Sequence, residues 1–125
     1  PDSQRVIPEG NDKKLDGETK GFAAAVDRVS AISSEKSRAI KLNIASGILT
    51  LSASSPEDGS ATEEIEVDYQ GDVLEVGFNA GYLLDIVRQI EGSNARMLMA
   101  DAASPTIFSE VDDPGVLYVL MPMRV

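Results

Sequence analysis

The residues most able to do chemistry in this chain are acids. The run "EDGSATEEIEVD", residues 57–68, gathers Glu57, Asp58, Glu63, Glu64, Glu66 and Asp68. Carboxylates at that density could hold a hard cation or supply an acid–base pair. A calcium loop, however, sets its oxygens at D-x-[DN]-x-[DN]-G spacing, which this run lacks. Glu64, Glu66 and Asp68 instead alternate outward as on a strand, so the run reads as a solvated face or a charged interface. The chain has no cysteine and no histidine. That removes disulfides, thiolate nucleophiles, Cys/His zinc sites and every triad built on an imidazole base. The glycines of "SGILTLS", "GDVLEVG" and "GSNAR" fit neither a P-loop nor a dinucleotide fingerprint and are assigned to turns. A hydrolase working through surface carboxylates stays open as the alternative function, and it would need two acids converging on one pocket. No catalytic residue, metal or cofactor is assigned.

Basic residues are few and unevenly placed. Residues 1–46 hold eight Lys/Arg against seven Asp/Glu, a net of +1, whereas residues 47–125 hold three against fourteen, a net of −11. With −10 overall, the protein cannot simply coat nucleic acid, and any such role must use local basic positions. Lys20, Arg28 and Arg88 allow two readings. They are ordinary solvated cations, or they line a surface that meets phosphates without reading bases. The end of the chain, "YVLMPMRV", carries one charge among eight residues. Alternation makes Tyr118–Met121 a buried strand, and Pro122, with no N–H, forces Met123, Arg124 and Val125 out of the sheet. Methionines beside such a break form either core or an adaptable docking surface.

The elements that must position these groups follow from periodicity. "PDSQRVIPEGNDKK" reads as a connector, with 1–12 as linker and 13–125 as one domain, and a chain opening on Pro1 is expected to be part of a longer protein. Phe22, Val26, Val29 and Ile32 share one stripe of a first helix, whose far side carries Lys20, Ala24, Asp27 and Ala31. "AIKLNIA" and "ILTLSA" form a hairpin about Ser46–Gly47. "PEDGSATEE" is expected as an acidic loop, "IEVDY" as a third strand and "VLEVGF" as a fourth. A second helix starts at the N-cap Asn79, stops at Gly92 and turns Leu83, Ile86, Val87 and Ile90 inward, leaving Tyr82 at the stripe's margin. Strands "ARMLMA", "PTIFSEV" and "VLYVLMPM" complete the chain, separated by "DAAS" and "DDPG". A lead-in strand (Lys13–Asp16, then Val73–Phe78), a helix and three strands therefore occur twice, the helices about 61 residues apart. The fold expected is α+β, two helices packed on antiparallel sheets, with parallel βαβ units disfavoured. No apolar run reaches the roughly 20 residues a membrane helix needs, and from the lack of cysteine a cytoplasmic protein is expected.

On "YVLMPMRV", "VGFNAGYLLDIV", "SSEKSRAIKL" and "PDSQRVIP", the chain resembles the third, C-terminal domain of the bacterial DNA polymerase III beta subunit, the sliding clamp. The likeness runs the whole length. It implies the DNA-clamp fold and a non-enzymatic role in DNA replication as a processivity factor. In that role a head-to-tail homodimeric ring encircles duplex DNA, with helices lining the hole and sheets outside. The resemblance makes Lys20, Arg28 and Arg88 DNA-facing. It places Ala31, Ile32, Glu57, Glu63 and Glu64 at the ring joint. It also implies a cleft for clamp-binding peptides of polymerase, clamp loader and repair proteins. The cleft positions are Arg5, Val6, Ser37, Asn79, Tyr82, Ala103, Pro105, Leu120, Met121, Pro122, Met123 and Arg124. Ser37 departs from the family, which often has a larger side chain there.

Overall fold

A computed structural model describes residues 10–32, 39–57 and 59–124. Its elements run β1 (Lys13–Glu18), α1 (Thr19–Ser30), β2 (Ala39–Ala45), β3 (Ile48–Ser55), β4 (Gly59–Glu66), β5 (Asp68–Tyr69), β6 (Leu74–Asn79), α2 (Ala80–Gln89), β7 (Asn94–Met99), β8 (Thr106–Glu110) and β9 (Asp113–Leu120). Alternation dictates the strands: Ile40, Leu42 and Ile44 of β2 and Leu49, Leu51 and Ala53 of β3 are buried, while their neighbours are half-buried or exposed. Between them Ala45 pairs with Ile48, and Gly47 closes the hairpin at φ +78°, a conformation that costs glycine little. The helices follow their stripes. Phe22, Ala25, Val26 and Val29 of α1 and Leu83, Ile86 and Val87 of α2 face the core.

The strand–helix–three-strand repeat is present, and its two copies are interlocked. One sheet has the order β4-β3-β2-β6 and the other β5-β1-β7-β8-β9, and every described pairing is antiparallel. Each lead-in strand thus joins the other copy's sheet: β1 pairs with β7 from Lys13↔Met99 to Glu18↔Asn94, and β6 pairs with β2 from Ala39↔Asn79 to Ile44↔Leu74. The helices pack against each other and over the sheets. Phe78 of one sheet meets Phe108 of the other edge-to-face, with centroids 5.9 Å apart, so one continuous core spans both sheets.

The structure corrects several element boundaries. The acidic stretch expected as a loop is mostly β4, in register with β3 from Ser55↔Gly59 to Ile48↔Glu66. "IEVDY" is not one strand, because the chain leaves one sheet at Glu66 and enters the other at Asp68. At Val67 the backbone is held by the hairpin tip: Val67 N–H donates to Gly47 O (3.1 Å) and Gly47 N–H donates to Tyr69 O (3.1 Å). The first helix ends at Ser30, leaving Ile32 past its end but packed on the core, and the second ends at Gln89 rather than near Gly92. "DDPG" is not a separator, since β9 already begins at Asp113. Pro114 is tolerated there because β9 is a sheet edge, where a missing N–H breaks no ladder. For the same reason Tyr118–Met121 is buried on one side only, with Val119 50% and Met121 59% exposed.

Candidate functional site

The site is assembled where β9 ends. Leu120 is nearly buried and pairs with Thr106. Pro122 cannot extend the ladder, and the chain crosses instead to the other sheet. There Met123 N–H donates to Gly77 O at 2.8 Å, forming an isolated antiparallel bridge with β6. Gly77 lies two residues ahead of Asn79, whose Oδ1 accepts the Tyr82 N–H (3.0 Å) and caps α2. Met123 and Tyr82 therefore approach the end of β6 from the terminal segment and from the helix. Both meet solvent, at 37% and 63% exposure. Met121 and Met123 are exposed apolar groups, Pro122 is half-buried and Arg124 is exposed. Arg124 also borders a cavity of about 430 Å³, with Lys41, Ser52, Ser54 and Ser60 among its lining.

The Ala100–Pro105 turn lies next to this end of β9, since Pro105 precedes the Thr106 that pairs with Leu120. Ala103 is exposed and Pro105 half-buried. The turn is braced from inside: Asp101 Oδ1 accepts the Ala103 N–H (2.9 Å) and the Ser104 N–H (2.7 Å). Those backbone donors, the Ala103 N–H foremost, hold the Asp101 carboxyl below its ordinary range. It is also tied from outside, by Lys13 Nζ donating to Ala100 O (3.0 Å) and by Asn11 Nδ2 donating to Leu98 O (3.0 Å) and Pro105 O (2.9 Å).

Backbone pairing thus links Leu120 to Thr106, next to Pro105, and Met123 to Gly77, two residues before the Asn79 that caps α2 at Tyr82, while Ala103 lies in the turn ahead of Pro105. Arg5, Val6 and Ser37 lie outside the described residues. Sequence reasoning missed Gly77 and Asn11. A glycine inside "VLEVGF" is a signal of close backbone approach, and it marks the Met123 bridge. Nothing in "PEGNDKK" singles out Asn11, because its partners lie 87 and 94 residues away.

The helix cations differ in their surroundings. Arg28 makes a bidentate pair with Glu63 of β4, Nε to Oε2 at 2.6 Å and Nη2 to Oε1 at 2.7 Å. Arg88 lies 3.6 Å from Asp27 across the two helices, and Lys20 is exposed with no ion pair among the described residues. Ala31 is exposed and Ile32 half-buried at the end of α1, with Glu57, Glu63 and Glu64 just before and along β4. The acids do not converge. Glu63 turns to Arg28, Glu64 and Glu66 are exposed on the opposite face of β4, and Asp68 belongs to the other sheet. Among the described residues no group of three or more carboxylates is placed to hold a metal ion.

Two helices side by side on two interlocked antiparallel sheets, made from a repeated unit, define an α+β domain of the DNA-clamp type. The chain belongs to the DNA polymerase III beta subunit family: residues 4–124 match the family model for its C-terminal domain. It is 54% identical over 125 residues to the beta sliding clamp of Caulobacter vibrioides and 40% identical over 124 residues to that of Pseudomonas putida, spanning 34% of either relative. Among solved structures, the DNA polymerase III subunit beta of Pseudomonas aeruginosa superposes over the whole chain at a TM-score of 0.92 and 39% identity. The Bartonella birtlesii sliding clamp bound to griselimycin does so at 0.92 and 46%, and 34% of each structure is covered. No helix among the described residues is long and apolar enough to cross a membrane.

Proposed function

We propose that this chain is the third domain of a replicative sliding clamp, residues 13–125 behind a connector over 1–12. The full protein closes head-to-tail as a dimeric ring around duplex DNA in the cytoplasm and performs no turnover. It binds DNA by topology, so diffuse attraction from Lys20, Arg28 and Arg88 is enough and no base is read. Ala31, Ile32, Glu57, Glu63 and Glu64 are assigned to the ring joint, which agrees with β4 being a free sheet edge beside the end of α1. Peptides from polymerase, clamp loader and repair proteins bury apolar anchors against Leu120, Met121, Pro122 and Met123, with Tyr82 and Pro105 as walls. Asn79 and Arg124 hydrogen-bond the peptide backbone, and Arg5, Val6, Ser37 and Ala103 complete the rim.

The observation that carries this reading is the Met123–Gly77 bridge. It holds the exposed Met123 on β6, two residues before the cap of α2, with Met121 exposed just ahead of it. Griselimycin, bound by the Bartonella clamp, is the probe for the cleft, titrated into the chain and followed by NMR. Shifts should concentrate at Tyr82, Ala103 and Leu120–Arg124. Met123→Ala or Arg124→Ala should weaken binding by about tenfold, as loss of one anchoring side chain does. Shifts scattered over both sheets, or no saturable binding, would sink the assignment.

A further inference from the structure

We infer that Asn11 is a positioning residue for the proposed cleft: its buried amide ties the segment ahead of β1 to the Ala100–Pro105 turn and so fixes the Pro105 wall. This rests on the cleft reading above. Asn11 is 9% exposed and uses its amide nitrogen twice, on Leu98 O and Pro105 O. Its own Oδ1 is buried with no hydrogen-bond partner among the described residues. The side chain is thus held for what it donates. Alanine would remove the amide donor that both carbonyls share, and aspartate would set a charge against them. The turn's other braces act elsewhere. Asp101 closes the turn on itself, and Lys13 holds its start at Ala100. Asn11 alone among the described side chains bonds Pro105, the last residue before Thr106 pairs with Leu120. It therefore sets how far the Pro105 wall stands from Leu120–Met123, without touching the peptide itself.

The test titrates griselimycin into the 125-residue chain and two variants. Asn11→Ala should keep a folded spectrum, shift the Ser104 and Thr106 amide signals and weaken binding about threefold to tenfold, the equivalent of one or two lost hydrogen bonds. Tyr69→Phe deletes a different buried bond, Tyr69 Oη to Asp72 O (2.6 Å), and should bind as the unmodified chain does. Unchanged affinity in Asn11→Ala, or an equal loss in Tyr69→Phe, overturns the inference while leaving the cleft standing. No saturable binding by the unmodified chain removes the cleft, and this inference with it. If Asn11→Ala does not fold, the unmodified chain decides. Its Asn11 side-chain amide protons should exchange slowly with deuterium, and their signals should move when griselimycin saturates. Fast exchange or unmoved signals overturn the inference.

Discussion

β4 and β9 hold the same place in the repeated unit, each its last strand and each an outer edge of its sheet, yet their surfaces differ in kind. β4 carries Glu63, Glu64 and Glu66 among Ser and Thr. β9 exposes Val116 and Val119 and runs out into Met121. Charge on a free edge discourages pairing with stray strands, whereas an apolar edge invites it. The repeat therefore sets the backbone, and the side chains give its two edges different chemistry, charged and polar on β4 and apolar on β9. An edge left apolar in so acidic a chain agrees with a partner at that end.

The comparison is broken most severely from inside. Leu51 on β3 backs β4, and Phe108 on β8 backs β9; both are fully buried. Phe108→Ala should cost about 3–5 kcal/mol and Leu51→Ala about 2–5 kcal/mol, read by chemical denaturation. Each should abolish both sheets in one transition. Loss of only the substituted half would show that the two units are independent.

Helix starts sharpen the contrast at a smaller scale. Asn79 caps α2, whereas Glu18 at the equivalent place on α1 makes no side-chain cap bond. Asn79→Ala should lower stability by about 1 kcal/mol, and Glu18→Asn should raise it by up to a similar amount, both seen in the thermal midpoint. A gain at Asn79 or a loss at Glu18 would contradict that reading of the termini.

The smallest effect belongs to the Arg28–Glu63 pair on β4. Arg28's hydrogen bonds hold the Glu63 carboxyl below its ordinary value of 4.5. A depressed acid contributes stability above that value and loses it as pH falls through the depressed one. Glu63→Gln should therefore flatten part of the acid limb below pH 4.5 at low salt. At high salt, where the exposed pair is screened, the two proteins should coincide. An acid limb unchanged by the substitution would show the pair to be idle.

Much of the fold was legible because burial and periodicity agree. Ile40, Leu42 and Ile44, or Leu83, Ile86 and Val87, can satisfy only one geometry. β4 was not legible, since an edge strand exposed along most of its length has no apolar alternation to show. The break at Val67 was hidden for the opposite reason: Ile65, Val67 and Tyr69 keep period two while the backbone changes sheets. Of the candidate site, Asn79 as a cap and Pro122 as a strand stop could be derived from residue chemistry. Ala103 and Pro105 came from family resemblance alone. Asn11 escaped both, because its meaning lies in carbonyls at the far end of the chain.

The exchange of β1 and β6 between the two sheets makes the two units a single mechanical body. Neither unit owns a complete sheet, so strain entering through the terminal segment on Gly77 arrives in a strand that belongs to the first unit's sheet. The Met123 bridge on β6 thus joins the end of the second unit to the sheet built mainly by the first.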